Sequence, residues 1–436
     1  MYELYELIAV FGVFLALLAA GMQVPFAISI SALFYLILHG GFDALKGLGL
    51  TSWGSTNSFT LTAIPLFIFM AEILQKGGVS LRIYRGLAKL VSPLPGGLLQ
   101  TNIAGCAVFA SISGSSVATA AAIGTSALPQ LTGRAYDRRM AAGSLAAGGT
   151  LGILMPPSIA MIVYGTFTET SIAKLFMAGV IPGLMLAGMF MTFVGIYAWI
   201  KPSIAPRESA PASIAEYRSA LLDLVPFILL ISGTMGSIYL GLATPTEAAA
   251  IGCAVALGIA SLDGDLSWVA LRQAMRGTVL ICGNILFIIL AAFLFSYAIS
   301  LSGVGEQFTS YIAGLNLTRM EFFLAILLLY TVLGCLVESL GMIVITVPLL
   351  YPVLLQYGFD PIWFGVVLVV FIEMGQISPP LGINLFVIQS IWDGKLSDVV
   401  IGTIPFHLIM FLLLALLVLW PDIALWLPEQ MMAKPG

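Results

Sequence analysis

Apolar stretches long enough to cross a membrane, or nearly so, recur through all 436 residues, with no long polar gap between them. They lie near 4–20, 24–39, 61–76, 140–165, 173–199, 220–240, 247–262, 276–300, 361–389 and 399–425. Only helices and closed barrels satisfy their own backbone in lipid, and runs of this length read as helices. Charge agrees: 17 Lys and Arg with 21 Asp and Glu make 38 charged residues, where a water-soluble chain of this size would carry ~110. The chain is therefore an all-α polytopic membrane protein whose surroundings are the lipid bilayer. Secreted, cytosolic and nucleic-acid-binding classes fit poorly. A net charge of −4 is too small to name a partner. Several spans are short and require tilt or a thin local bilayer.

Two further apolar regions, 98–130 and 321–355, are interrupted by Ser113-Gly114-Ser115-Ser116 and Glu338-Ser339-Leu340-Gly341. Their polar tips favour re-entrant helical hairpins over pairs of full spans. With the N-terminus outside, only Lys46, Lys174, Arg319 and Lys434 of the basic residues fall outside. The rest, Arg207 among them, are cytoplasmic, as the positive-inside rule requires. The opening MYELYELIAVFG lacks the basic start of a signal peptide and reads as a retained first helix.

The chain repeats itself. At an offset of 223, Ser116, Pro129 and Asp137 match Ser339, Pro352 and Asp360. Gly152, Pro156 and Pro157 match Gly375, Pro379 and Pro380, and Gly179, Ile181 and Pro182 match Gly402, Ile404 and Pro405. Gly21 and Pro25 pair with Gly241 and Pro245 at an offset of 220. Each half then holds five spans and a hairpin. An odd number of spans inverts the second half, and inverted repeats are a transporter architecture. Before each hairpin lies an amphipathic stretch. The first sets Arg82, Arg85 and Lys89 against Leu81, Tyr84, Leu87 and Val91. The second sets Glu306, Gln307 and Ser310 against Val304, Phe308, Tyr311 and Leu315. Both read as braces at the membrane surface.

Candidate chemistry gathers at Gly152–Ser158 and at Gly375–Leu381, where two consecutive prolines interrupt a long apolar run. Proline gives no N–H to the carbonyl four residues back. The breaks should free the carbonyls of Gly152 and Ile153, and of Gly375 and Gln376. Bare carbonyls are tolerable in a membrane only if they hold a cation or face water, and each break opens a new helix N-terminus that attracts anions. Ser113, Ser115, Ser116 and Thr119 at one tip, and Ser339 and Gly341 at the other, add oxygens and room. Gln376 and Asn384 can hydrogen-bond a substrate.

Glu373 and Glu338 are the intramembrane carboxyls. Each is equally suited to carry a proton or cation or to bond exposed backbone, and Glu72 and Glu247 lie nearer span ends. Cys106, Cys253, Cys282 and Cys335 read as small buried hydrophobes, and His39 and His407 as structural or interfacial. No GxxxxGK[ST], HExxH or GxSxG occurs, so ATP hydrolysis and other enzyme activity are poorly supported and a gradient must supply energy.

These residues resemble the large membrane subunit of tripartite ATP-independent periplasmic (TRAP) transporters, of the ion-transporter superfamily, over almost the whole chain. The resemblance rests on Ile64-Pro65-Leu66-Phe67, Ser113 through Thr119, Gly152 through Ser158, Thr244-Pro245-Thr246-Glu247-Ala248 and Gly375 through Asn384. It implies sodium-driven uptake of a small organic acid, such as a carboxylate or sugar acid, across a bacterial inner membrane. It also implies a separate small four-helix membrane subunit, a periplasmic substrate-binding protein and an elevator motion. One sodium is then expected at Ser113, Ser115, Ser116, Thr119, Gly152 and Ile153, and another at Ser339, Gly341, Gly375 and Ser378. The substrate should lie near Ser116, Ser158, Gln376 and Asn384. Residues 96–165 and 318–390 would form the moving block. Residues 1–95, 166–317 and 391–436 would supply scaffold helices, the two arms and the tail. Alternatives are a stand-alone ion-coupled symporter or antiporter of the same superfamily, or a passive channel.

Overall fold

The computed structural model describes residues 2–206, 213–262 and 266–432, and among these there is helix and connecting turn but no strand. Arg207 and Lys434, used above for orientation, lie outside them. The first ten helices are α1 (Tyr2–Ala19), α2 (Val24–Gly40), α3 (Leu48–Thr56), α4 (Ala63–Lys76), α5 (Val79–Val91), α6 (Leu98–Ser113), α7 (Ser116–Thr132), α8 (Arg138–Leu154), α9 (Ile159–Thr168) and α10 (Ile172–Ile200). The second series is α11 (Ile214–Tyr239), α12 (Pro245–Leu262), α13 (Trp268–Ser302), α14 (Val304–Gly314), α15 (Arg319–Gly334), α16 (Ser339–Gln356), α17 (Pro361–Gln376), α18 (Ile383–Ser390), α19 (Leu396–Leu419) and α20 (Asp422–Met432).

The register read from sequence recurs in the helix starts. α7 begins at 116 and α16 at 339, and α8 begins at 138 and α17 at 361, each pair 223 apart. The matched residues do matched jobs. Asp137 and Asp360 both cap a following helix, accepting from Met140 N–H and from Ile362 and Trp363 N–H. Gly21 and Gly241 both take positive φ, at 84° and 70°, before a helix that opens with proline. Thr244 and Glu247 close a reciprocal cap on α12, which accounts for the Thr-Pro-Thr-Glu sequence.

Eight of the described helical segments are long and apolar enough to cross a membrane, or nine if one bent pair counts as a span. Ten were expected. The segment 361–389 is two helices, because the turn at 377–382 ends α17. In α1 the described apolar part is short, whereas α16, expected as a hairpin arm, is itself long enough to cross.

α8 and α17 form the centre. Every residue of Met140–Leu154 and of Trp363–Gln376 is buried. α8 packs against α6, α7 and α19, and α17 against α15. Small residues permit this density: a Cβ on Gly143 would lie 2.2 Å from the Gly402 carbonyl.

The amphipathic helices behave differently from expectation. α4 turns into α5 through a 69° bend at Gly78, whose φ is +72°. The basic face of α5 is docked on α11 rather than left free. Arg82 pairs with Asp223 at 3.2 Å and Lys89 pairs with the same carboxylate at 3.7 Å. Gly86 lets α11 approach, since a Cβ there would meet Asp223 Cβ at 2.8 Å. Val79, Ile83, Tyr84 and Leu87 form the buried side, while Leu81 is exposed. α14 packs on α16, α1 and α13. Of its expected apolar face Val304 is buried, but Tyr311 and Leu315 are exposed.

Candidate functional site

A cavity of about 640 Å³ lies between the tips of the two hairpins, α6–α7 and α15–α16, and helices α4 and α13. Ser113, Gly114 and Ser115 border it from the first tip, Glu338, Ser339 and Leu340 from the second, and Ile153 and Ile159 from the first broken helix. The opposite wall supplies Glu72 and Gln75 from α4 and Asn284 from α13. Among the described residues no Lys or Arg lines the cavity. Gln75 and Asn284 escaped the sequence reading, which also put Glu72 merely near a span end. Asn284 did leave a signal, a single amide inside the apolar run that follows Arg276.

Of the first expected ion set, Ser113, Ser115, Thr119 and Gly152 are brought together. Thr119 hydroxyl donates to the Ser115 carbonyl at 2.8 Å. It also lies 2.7 Å from the Ser113 hydroxyl, which is itself 3.3 Å from the same Ser115 carbonyl. Gly152 is seated directly on this cluster. A Cβ there would be 2.4 Å from the Ser115 carbonyl oxygen and 2.7 Å from Thr119 Oγ1. The break is stitched to the tip by Ile159 N–H, which donates to the Gly114 carbonyl at 3.3 Å. Ser158 caps α9 by accepting from Met161 N–H, and its hydroxyl donates to the Ile153 carbonyl at 2.5 Å. That carbonyl, expected to be free, is therefore occupied, and Ser158 is turned into the break, fully buried.

The second set is not brought together in the same way. The Gly375 carbonyl, also expected to be free, accepts Ser378 N–H at 3.1 Å, because the chain turns tightly instead of extending. Ser378 hydroxyl donates to the Met374 carbonyl at 2.7 Å and lies 3.0 Å from His407 Nε2, so His407 braces this turn. Gly375 is packed on Gly334, and Gly341 lies against Val24 and Val337. Ser339 borders the cavity, and no hydrogen bond joins it to Gly375 or Ser378 among the described residues. Besides the packing of Gly334 against Gly375, the hairpin meets the break through Cys335, whose thiol reaches the Pro379 carbonyl at 3.3 Å. Cys335 is only half-buried, unlike Cys106, Cys253 and Cys282.

Of the expected substrate contacts, Ser116 donates its hydroxyl to Gln376 Oε1 across the two halves. Asn384 donates to the Ala146 carbonyl at 3.4 Å, and its Oδ1 has no partner. Glu373 is fully buried with neither oxygen bonded, and the Glu338 side chain does not cap α16. The reading in which these carboxyls bond exposed backbone is therefore not met. Among the described residues no cluster of His, Cys, Asp and Glu is suited to a metal centre.

A family model described as the DctM component of the tripartite ATP-independent periplasmic transporter matches residues 11–423. The chain belongs to that family, as its large membrane subunit. The C4-dicarboxylate TRAP transporter large permease protein DctM of Pseudomonas aeruginosa is 33% identical over 89% of this chain and 90% of its own length. The sialic acid large permease SiaM of Vibrio cholerae is 30% identical over 97% and 98%. The 2,3-diketo-L-gulonate large permease YiaN of Escherichia coli is 29% identical over 94% and 96%. Among solved structures, the YdaH transporter of Alcanivorax borkumensis superposes with a TM-score of 0.63 at 16% identity, covering 90% of each chain. At that identity the likeness concerns the fold alone. These relatives are named transporter permeases, and the multi-span helical fold agrees.

Proposed function

We propose that this TRAP large permease takes up a small organic acid driven by sodium, moving its cargo by an elevator displacement. The observation that carries this reading is the oxygen cluster of Ser113, Ser115 and Thr119, closed over Gly152 at the edge of the cavity. A hard cation prefers such oxygens. With no Lys or Arg lining the cavity among the described residues, an anionic cargo would be held by hydroxyls, by the N-termini of α7, α9 and α16 and by the bound sodium itself.

A second sodium belongs at the second break, with Ser339, Gly341, Gly375 and Ser378. The two hairpins and two broken helices, 96–165 and 318–390, would travel as one block. The remaining helices would form a scaffold, the two halves being inverted repeats. The protein would lie in a bacterial inner membrane with its N-terminus in the periplasm. A separate four-helix subunit would assist it, and a periplasmic binding protein would deliver the acid. Reconstitution of the three components into liposomes tests this. An inward sodium gradient should drive accumulation of the acid. Accumulation that ignores sodium and follows a proton gradient refutes the coupling and moves attention to Glu373.

A further inference from the structure

Gln376 touches both halves of the site. Its side-chain Oε1 accepts the Ser116 hydroxyl from the tip of the first hairpin. Its backbone carbonyl lies under the second break, where a Cβ on Gly382 would come within 2.6 Å of it. The residue is fully buried, and its Nε2 has no partner. Ser116 is the first residue of α7, beside Ser115 and one turn before Thr119, so it adjoins the first oxygen cluster.

A hydroxyl has one proton and two lone pairs. It can offer a lone pair to a cation only when its proton points elsewhere, and a serine at a helix start ordinarily chooses among several backbone acceptors. From this geometry we infer that Gln376 is the positioning residue that couples the two ion sites. Its Oε1 takes the Ser116 proton and so turns the serine's lone pairs toward the first cation. Because Gln376 is also the residue at which α17 gives way to the second turn, reshaping that turn around a second ion or a substrate moves the acceptor. Occupancy at one break therefore alters affinity at the other, and such coupling acts equally in both directions. The unpartnered Nε2 supplies a donor for the cargo from the same amide. This inference rests on the sodium-coupled reading above and adds the element that links its two sites.

The test is a sodium titration of the purified full chain in detergent, with choline replacing sodium at constant ionic strength and thermal unfolding as the readout. The wild type should respond with a sigmoidal curve. Gln376→Met, which keeps the length and removes the acceptor, should raise the midpoint about tenfold, the upper end for the loss of one neutral hydrogen bond, and flatten the curve to a simple hyperbola. Gln376→Glu, which restores an acceptor oxygen, should recover the wild-type midpoint and the sigmoidal shape. Should Gln376→Met fail to fold, Ser116→Ala removes the same bond from the other side and should give the same shift. A Gln376→Met or Ser116→Ala protein that keeps both midpoint and shape overturns the inference while leaving sodium coupling intact. A wild type that ignores sodium overturns the coupling itself.

Discussion

At the first break every residue from Met155 to Ser158 is buried, and the hairpin tip reaches it through Gly114, Ser115 and Thr119. At the second, Pro379, Pro380 and Leu381 are exposed, α18 starts without a side-chain cap, and the neighbouring hairpin reaches the turn through the Cys335 thiol. The covalent cause is the same in both, a pair of prolines that cannot donate. The difference lies in what packs over the gap. Proline decides where a helix stops, and the adjoining hairpin decides whether the resulting oxygens are gathered into a site in advance.

The contrast is most easily broken at Gly152. A Cβ there collides with main-chain atoms of Ser115, which have no freedom to move aside. Gly152→Ala should cost about 3 kcal/mol and abolish sodium-driven uptake. A variant with wild-type unfolding temperature and uptake would show that the first site is looser than its geometry. Next in size is the paired proline experiment. Pro156→Ala with Pro157→Ala should raise half-saturating sodium about tenfold in a folded protein, because helix hydrogen bonds would close over the cluster. Pro379→Ala with Pro380→Ala should change it by about twofold, since the second turn is already open and carries less preassembled contact. Equal shifts for the two pairs would erase the distinction.

Smaller effects sharpen it. Thr119→Val keeps the shape but removes the buried hydroxyl that contacts Ser113 and bonds the Ser115 carbonyl, and should lower stability by about 1 kcal/mol, readable in thermal unfolding with and without sodium. The mildest probe is chemical. In the native protein a maleimide should label Cys335 and spare Cys106, Cys253 and Cys282, while Cys335→Ala should shift stability by less than about 1 kcal/mol. Labelling at Cys106 with Cys335 protected would reverse the assignment of the open and closed breaks.

Much of this was legible in the sequence because its causes are local. The 223-residue register, in which Asp137 matches Asp360, and the two proline breaks depend on neighbours along the chain, and the hydroxyl cluster lies within one hairpin. What escaped depends on distant partners. Gln75 and Asn284 face the cavity only because α4 and α13 happen to oppose the hairpins. The occupied carbonyls of Ile153 and Gly375 show that proline removes one donor without forbidding others, here Ser158 Oγ and Ser378 N–H. The basic stripe on α5 looked like a membrane-facing surface because Asp223, its partner, lies 141 residues away from Arg82.

That single aspartate has a further implication. By occupying two cations at once it leaves Arg85 as the exposed positive charge on the helix face. The bend after α4 is thus fastened by protein, independently of any pull from anionic headgroups, which amounts to about 1 kcal/mol per basic residue. The first arm should accordingly stay in place in neutral lipid.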